Sequence, residues 1–232
     1  MMKGKIFLIG TPIGNLEDIT YRAVRILKEA DVILSEDTRR ATKLLNEYSI
    51  HPEELISYNS HNFSSRKNRI INYLTSNKKV AFISDAGMPV ISDPGVSLVE
   101  LSYENEIEFD VIPGPSAVTT AIAASGFGGS NFSFFGFLPR GKKRRRIFRK
   151  IAEGLFENKN IVFFDSPYRI KECLKDFLDI VGNRRIFIGR EMTKIHQEYI
   201  YSTIEEFLNE TDDRKIIGEL TVVISGREEE NE

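Results

Sequence analysis

The chain has 232 residues, a hydrophobic fraction of 41% and a formal net charge of −2 at pH 7. This length fits one large domain or two smaller ones, and the near-neutral charge excludes a protein that attracts nucleic acid over its whole surface. The single cysteine, Cys173, excludes an internal disulfide, and no apolar run is long enough for a membrane span. We therefore expect a cytoplasmic protein in which Cys173 is a buried apolar residue of a helix rather than a catalytic thiol.

The first half of the chain alternates between short apolar runs and amphipathic segments. The apolar runs predict five strands, at 5–10, 31–35, 54–58, 79–84 and 107–112. Apolar residues at helical spacing predict helices at 20–30, 38–48 and 64–74 and a further helix from residue 96. This alternation predicts an α/β domain with a mainly parallel sheet that is covered by helices on both faces.

Three of the predicted strands run into segments that are rich in glycine and proline, namely Gly10–Asn15, Ser84–Gly95 and Pro113–Ala117. Ligands of open α/β sheets bind at the carboxyl ends of the strands, where small residues let the backbone approach them closely. The loop 84–95 is also longer than most connections between a strand and a helix. A rigid connection that binds nothing is the alternative. The spacing of Gly10 and Gly14 matches neither the dinucleotide fingerprint nor a phosphate-binding loop.

A second domain is predicted after the glycine-rich connector 126–130. A strand begins at residue 131, and further strands are predicted at 159–164, 185–191, 195–202 and 217–225, with helices at 167–181 and 203–209. Two consecutive strands without a helix between them indicate a mixed sheet with an antiparallel part. We expect an N-terminal domain at 1–118, a C-terminal domain at 119–226 and a solvated acidic tail at 227–232. A cofactor is expected in the cleft between the two α/β domains.

The segment Arg140–Lys150 contains eight basic residues, the densest positive charge in the chain. Cations packed this closely repel each other unless an anion lies nearby, and the phosphate backbone of a nucleic acid is the natural candidate. A solvated helix face is the alternative. The residues expected to bind RNA are Arg140, Lys142, Lys143, Arg144, Arg145 and Arg146.

Seven motifs together resemble the ribosomal RNA small-subunit methyltransferase I branch of the tetrapyrrole methylase superfamily. They occur in order at 9–16, 35–39, 84–95, 113–117, 137–140, 166–170 and 190–194. The resemblance implies S-adenosylmethionine as methyl donor and 2′-O-methylation of a cytidine in the decoding region of small-subunit ribosomal RNA. It also implies a homodimer that acts on the RNA or on the assembled small subunit, with the cofactor in the trough between the domains.

The resemblance also implies which residues contact the cofactor. Asp85 is expected to bind its polar end, and Phe137 with Leu138 forms an apolar wall or, alternatively, part of the core. Met88 stands where many members of the superfamily carry an aspartate, and only His61 remains where relatives often have paired histidines. The other expected contacts are Pro12, Ile13, Met88, Ile91, Ser116 and Ala117.

Methylation of a ribose hydroxyl needs a general base, or a cation that stabilises the forming alkoxide. The candidate bases are Asp37, Asp85 and Glu191, and Arg39 is the candidate cation. Asp37 is equally suited to cap the helix that follows it. For Glu191, a salt bridge with Arg190 or Lys194 is the favoured alternative. The three histidines and one cysteine show no metal-ligand spacing.

Two other functions remain open at this stage. A methylase of the same superfamily acting on a tetrapyrrole or a diphthamide-type acceptor would not need the basic segment. A non-catalytic RNA-binding factor for ribosome assembly would need the basic segment but no S-adenosylmethionine.

Overall fold

The computed structural model describes residues 4–156, 158–211 and 216–226. The chain divides into two compact units, residues 1–116 and 117–232. The predicted acidic tail at 227–232 lies outside the described residues. Within the described residues, no helix is both long enough and apolar enough to cross a membrane.

The first unit is built on a five-stranded parallel sheet, as the alternating pattern predicts. Its strands are β1 (Lys5–Ile9), β2 (Val32–Ser35), β3 (Glu54–Ser57), β4 (Lys79–Ile83) and β5 (Glu108–Ile112). Their spatial order is β3-β2-β4-β1-β5, so the carboxyl ends of all five strands lie at one edge. The helices are α1 (Tyr21–Glu29), α2 (Thr38–Glu47), α3 (Phe63–Thr75) and α4 (Val96–Glu104).

Helices cover both faces of this sheet because successive side chains of a strand point to opposite faces. In β1, Phe7 and Ile9 pack with α1 and α2, whereas Ile6 and Leu8 pack with α3 and α4. Each face thereby has its own apolar core, which agrees with the nearly continuous apolar sequence of the strands.

The second unit carries the predicted mixed sheet. Its elements in chain order are α5 (Ala117–Ser125), β6 (Phe132–Phe137), α6 (Lys142–Ala152), β7 (Asn160–Asp165), α7 (Ile170–Val181), β8 (Arg185–Arg190), β9 (Glu198–Thr203), α8 (Ile204–Glu210) and β10 (Leu220–Ile224). The spatial order is β6-β7-β10-β8-β9. Only β6 and β7 pair in parallel, and the other neighbours are antiparallel.

One face of the second sheet is covered by α5 and the other by α6, α7 and α8. Cys173 is fully buried in α7, as predicted, and burial raises the pKa of its thiol. Helix α7 begins three residues later than predicted because residues 166–169 form a turn. In that turn the amides of Arg169 and Ile170 both donate to the carbonyl of Ser166.

Candidate active site

The carboxyl edge of the first sheet brings the predicted glycine- and proline-rich segments together. Thr11 and Gly87 exchange two backbone hydrogen bonds, at 2.9 and 3.1 Å, which join the segment after β1 to the loop after β4. The amide of Gly10 donates to the carbonyl of Ile112 at 3.0 Å, which adds the segment after β5. Pro12 and Ile13 follow directly and are buried at this edge.

Gly10 and Gly114 lie in backbone contact at this edge. A Cβ added to Gly114 would lie 2.9 Å from the backbone of Gly10. A Cβ added to Gly10 would lie 2.8 Å from Gly114 and 2.6 Å from the sulfur of Met88. These distances exclude any side chain at either position, so glycine at both positions lets the segments after β1 and β5 pack backbone against backbone, beside Met88.

The loop 84–95 has an unusual backbone. Positive φ values occur at Gly87 (77°), Val90 (75°), Ser92 (66°) and Gly95 (130°). A β-branched residue such as valine rarely adopts positive φ, and strain of this kind clusters at functional sites. The amide of Val90 donates to the carbonyl of Pro94 at 3.2 Å, which holds the loop in this shape and leaves Ile91 exposed.

Two buried hydroxyls at the same edge have no hydrogen-bond partner within the part of the chain that the structure describes. They are Oγ1 of Thr11, which follows β1, and Oγ of Ser35, which ends β2. A buried polar group without a partner costs free energy, and a bound ligand can supply the missing partner. The unpaired hydroxyls of Thr11 and Ser35 therefore fit a polar cofactor at this edge.

Asp37 caps helix α2, as the alternative reading of the sequence predicts. Its Oδ1 accepts the amide of Arg39 at 2.9 Å and its Oδ2 accepts the guanidinium of Arg39 at 2.7 Å. The hydrogen bonds from Arg39 hold the pKa of Asp37 far below its usual range. A carboxylate with so low a pKa is a weak proton acceptor, which argues against Asp37 as the general base.

Asp85 supports the segment between β2 and α2. Its Oδ1 accepts the backbone amide of Asp37 at 3.0 Å, and its Oδ2 lies 3.3 Å from the guanidinium of Arg40. Arg39 is exposed and directed to the carboxylate of Asp37 rather than to an open position.

Two carboxyl groups that sequence reasoning missed have raised pKa values. Burial raises the pKa of Glu36, and the negative charges of Asp85 and Asp93 raise it further. Burial also raises the pKa of Asp93, although a hydrogen bond from Ser84 partly offsets this. Glu36 follows β2 directly and lies in the motif 35–39, which is the one signal in the sequence that points to it.

Glu191 has a structural environment in the second unit. Its Oε1 accepts the amide of Glu219 at 2.8 Å and the ammonium of Lys194 at 2.9 Å. Burial alone would raise its pKa, but these two donors outweigh burial and lower it. The salt bridge with Lys194 agrees with the alternative interpretation of the sequence, whereas Arg190 pairs with Glu198.

The remaining predicted cofactor residues are divided between the two units. Ser116 ends the first unit and Ala117 begins α5, and both are half-buried. Phe137 ends β6 and is 60% exposed, with its ring 5.5 Å from that of Phe164. Leu138 belongs to the core of the second unit, which favours the packing alternative for this residue.

The basic segment forms helix α6 and the loop before it. Arg144 is a correction to the predicted RNA-binding set, because its side chain is fully buried against Asp176 and Glu172. Arg145 is partly exposed and pairs with Asp176. The exposed cations of the segment are Arg140, Lys142, Lys143, Arg146, Arg149 and Lys150.

The sequence was compared with known families and proteins. The profile of the Tetrapyrrole (Corrin/Porphyrin) Methylases matches residues 5–208. A Thermotoga maritima protein named Ribosomal RNA small subunit methyltransferase I is 53% identical over 225 residues, which is 97% of this chain and 100% of the relative. The Bacillus subtilis protein of the same name is 41% identical over 98% of this chain and 77% of the relative.

The chain belongs to the ribosomal RNA small subunit methyltransferase I family of the tetrapyrrole methylases. Solved tetrapyrrole methylases share the fold of this family member. A cobalt precorrin-4 methyltransferase aligns with a TM-score of 0.66 at 17% identity, covering 95% of this chain and 94% of that structure. The uroporphyrin-III-C-methyltransferase of Thermus thermophilus aligns with a TM-score of 0.63 at 18% identity, with the same coverage. The predicted α/β class with one parallel and one mixed sheet is thereby confirmed.

The described part of this family member contains no cluster of three or more His, Cys, Asp or Glu residues that is arranged to hold a metal ion. The polar groups at the carboxyl edge of the first sheet are instead backbone amides, hydroxyls and carboxylates. This donor and acceptor set suits an organic ligand that has both polar and apolar parts.

Proposed function

We propose that this protein transfers a methyl group from S-adenosylmethionine to the 2′-hydroxyl of a cytidine in the decoding region of small-subunit ribosomal RNA. The observation that carries the proposal is the 53% identity, over the full length, with a protein named for this kind of reaction. The sheet edge and the basic helix of this chain support it independently, since one fits a cofactor and the other fits RNA.

The cofactor is assigned to the carboxyl edge of the first sheet. Gly10 and Gly114 let the segments after β1 and β5 converge there, and the Thr11 hydroxyl offers a hydrogen bond that no described protein group takes. When bound, S-adenosylmethionine supplies a methyl group on a sulfonium, which is an excellent leaving group. The other residues assigned to the cofactor are Pro12, Ile13, Asp85, Met88, Ile91, Ser116, Ala117 and Phe137.

Glu36 is the carboxylate best suited to accept the proton of the ribose hydroxyl. A general base works best when its pKa lies near the operating pH, and burial together with the charges of Asp85 and Asp93 raises the pKa of Glu36 toward that range. Asp37 and Glu191 have lowered pKa values, and neighbouring donors occupy both oxygens of Asp37 and Oε1 of Glu191. In this proposal Asp37 holds Arg39 at the start of α2, and Glu191 holds Lys194 and the segment before β10.

Helix α6 is assigned to the RNA backbone. Lys142 and Lys143 lie in its first turn, where the helix dipole disfavours positive charge. No side chain of the described residues caps this end, because the cap residue is Gly141 with φ of 56°. An anion at this position would satisfy the free amides and neutralise the lysines, and the phosphates of RNA are such anions.

The basic face also discriminates between acceptors. A tetrapyrrole is a compact macrocycle that needs no extended row of cations, whereas an RNA strand presents a phosphate at every nucleotide along its length. The structures of tetrapyrrole methylases match this chain at 17–18% identity, a level that establishes the fold alone. RNA is therefore the better-supported acceptor.

The family resemblance further supports a homodimer, and an rRNA substrate supports a cytoplasmic location. Light scattering of the purified protein tests the first of these, since a homodimer has twice the chain mass of 26.5 kDa.

The decisive experiment incubates the purified protein and S-adenosylmethionine with small ribosomal subunits, or with the naked RNA, isolated from cells that lack this enzyme. The 2′-O-methyl groups are then mapped as positions that resist alkaline cleavage. One new methylated cytidine in the decoding region is expected. Calorimetry with S-adenosylmethionine alone is expected to show micromolar-range binding, about −8 kcal/mol. Absence of this binding would leave only the non-catalytic RNA-binding function.

A further inference from the structure

Tyr168 is held at the surface by a turn that is fixed on both sides. Its side chain is 90% exposed, although it lies in sequence between the buried strand β7 and helix α7, whose inner face is buried. The amide of Ser166 donates to Oδ1 of the buried Asp165 at 2.8 Å. The guanidinium of Arg169 donates to the carbonyl of Leu138 and lies 3.4 Å from Asp165. The turn is therefore anchored to its own strand and to the end of β6.

This anchoring places Tyr168 beside the basic segment. Because β6 and β7 are parallel, their carboxyl ends lie at the same edge of the second sheet. The carbonyl that Arg169 contacts belongs to Leu138, only two residues before the exposed Arg140. Two residues span at most about 7 Å of chain. Helix α6, with exposed Lys142 and Lys143, begins two residues after Arg140.

An exposed aromatic ring on an anchored turn beside a row of cations is a combination that binds single-stranded nucleic acid. Cations hold the phosphates, and aromatic rings stack on the bases that have left a helical stack. The described residues make no ring contact with Tyr168, so both faces of its ring are accessible. Phe137, the last residue of β6, lies at the same edge of the second sheet and adds a second exposed ring.

We infer that Tyr168 stacks on a base of the RNA strand whose phosphates are bound by Arg140 and the first turn of α6. The inference rests on the proposed function and adds to it a residue that grips an unpaired nucleotide. The positive charge around Tyr168 favours RNA over a second copy of this chain, because like-charged copies of this face would repel each other.

The test measures the affinity of single-stranded RNA oligonucleotides, which contain one cytidine, for four proteins. These are the wild type, Tyr168→Ala, Tyr168→Phe and the control Tyr103→Ala. Tyr103 is 74% exposed on α4 of the other unit, where its ring packs against Phe109. Loss of one stacked base should weaken binding about 5- to 150-fold in Tyr168→Ala. Tyr168→Phe and Tyr103→Ala should bind within about twofold of wild type.

An abasic series of the same oligonucleotides identifies the stacked base. Removal of that base should weaken wild-type binding and abolish the difference between wild type and Tyr168→Ala. Wild-type affinity of Tyr168→Ala, or an equal loss in Tyr168→Phe, would overturn the inference. The inference would also be overturned if light scattering showed a different oligomeric mass for Tyr168→Ala than for wild type. Such a change would assign Tyr168 to an interface between copies of this chain. Failure of the proposed function can be told apart from failure of this inference. In the first case the wild type methylates no ribosomal RNA, whereas in the second it does so although Tyr168→Ala binds RNA normally.

Discussion

Arg144 and Asp176 form a buried ion pair that joins the basic helix α6 to helix α7. Nε of Arg144 donates to Oδ2 of Asp176 at 2.8 Å, and the Arg144 side chain is 0% exposed. Arg145 contacts the other oxygen of the same carboxylate, and Glu172 contacts Arg144 at 2.7 Å. Arg144 is thus an internal anchor of the basic segment and Arg145 pairs with the same carboxylate, while the other six cations are exposed.

Asp176→Ala is expected to destabilise the protein by about 3–5 kcal/mol, because the substitution leaves the buried guanidinium of Arg144 without its main partner. Urea unfolding measures the effect as a lower midpoint. Asp179→Ala is the matched control, since Asp179 is exposed on the same helix and its removal should change stability by about 0.5 kcal/mol or less. Equal urea midpoints for the two variants would show that the Arg144–Asp176 ion pair contributes nothing to the stability of the protein.

The same carboxylate should make stability depend on pH. Burial alone would raise the pKa of Asp176, but the hydrogen bonds from Arg144 and Arg145 outweigh burial and lower it. A lowered pKa stabilises the folded state above the ordinary aspartate pKa of about 3.9, and this contribution is lost as pH falls through the folded value. The stability difference between wild type and Asp176→Asn should therefore be constant above about pH 5 and shrink in more acidic solution. A difference that is independent of pH would contradict this account.

The outward cations should control how RNA binding depends on salt. Changing Lys142, Lys143 and Arg146 together to glutamine should reduce the slope of log affinity against log salt by about 2, since each contact to a single strand contributes about 0.7. The matched control changes Lys28, Lys43 and Lys175, which are exposed on other helices, and removes the same charge. Affinity for S-adenosylmethionine should be unchanged in both. Identical slopes would mean that α6 is only a solvated face.

The sequence predicts the basic helix better than it predicts the role of each cation. Charge density alone groups Arg144 with its neighbours. The helical period, however, places Arg144 on the same face as Phe148 and Ile151, which are also buried. That signal was present in the sequence. The identity of the buried partner was not, because Asp176 is 32 residues away and its approach depends on how α6 packs on α7.

The proposed cofactor site at the carboxyl edge of the first sheet was likewise predictable only in part. Glycine and proline at the strand ends predict its location, because few other residues permit such close backbone approach. The unpaired hydroxyl of Thr11 and the raised pKa of Glu36 were not predictable, since both result from packing between segments far apart in the chain. The pattern also left open whether Asp37 is a cap or a base, because either role requires an aspartate before α2.

Thr11→Val should separate the stability of the protein from its affinity for the cofactor. Valine has nearly the same shape but lacks the buried hydroxyl that has no described partner. The free protein should be as stable as wild type or slightly more stable, because no hydrogen bond is lost. Binding of S-adenosylmethionine should weaken about 5- to 10-fold, which corresponds to one lost hydrogen bond of about 1–1.5 kcal/mol. Unchanged affinity in calorimetry would place the cofactor away from Thr11.

Glu36→Gln should lower the rate of RNA methylation by about 10²–10⁴-fold, the usual contribution of a general base. Glutamine keeps the size of the side chain but cannot accept the proton. The affinity for S-adenosylmethionine should change little. In single-turnover reactions the wild-type rate should fall as Glu36 becomes protonated, at a pH above the ordinary glutamate pKa of about 4.3 because that pKa is raised.

Asp37→Asn is the matched control for this experiment, because it changes the neighbouring residue in the same conservative way. Asparagine caps helices about as well as aspartate, so α2 should remain intact. Its methylation rate should stay within about tenfold of wild type, and the pH dependence should persist, because the strongly lowered pKa of Asp37 lies outside that range. The opposite pattern, with Asp37→Asn inactive and Glu36→Gln active, would show that Asp37 is the general base and that Glu36 takes no part in the proton transfer.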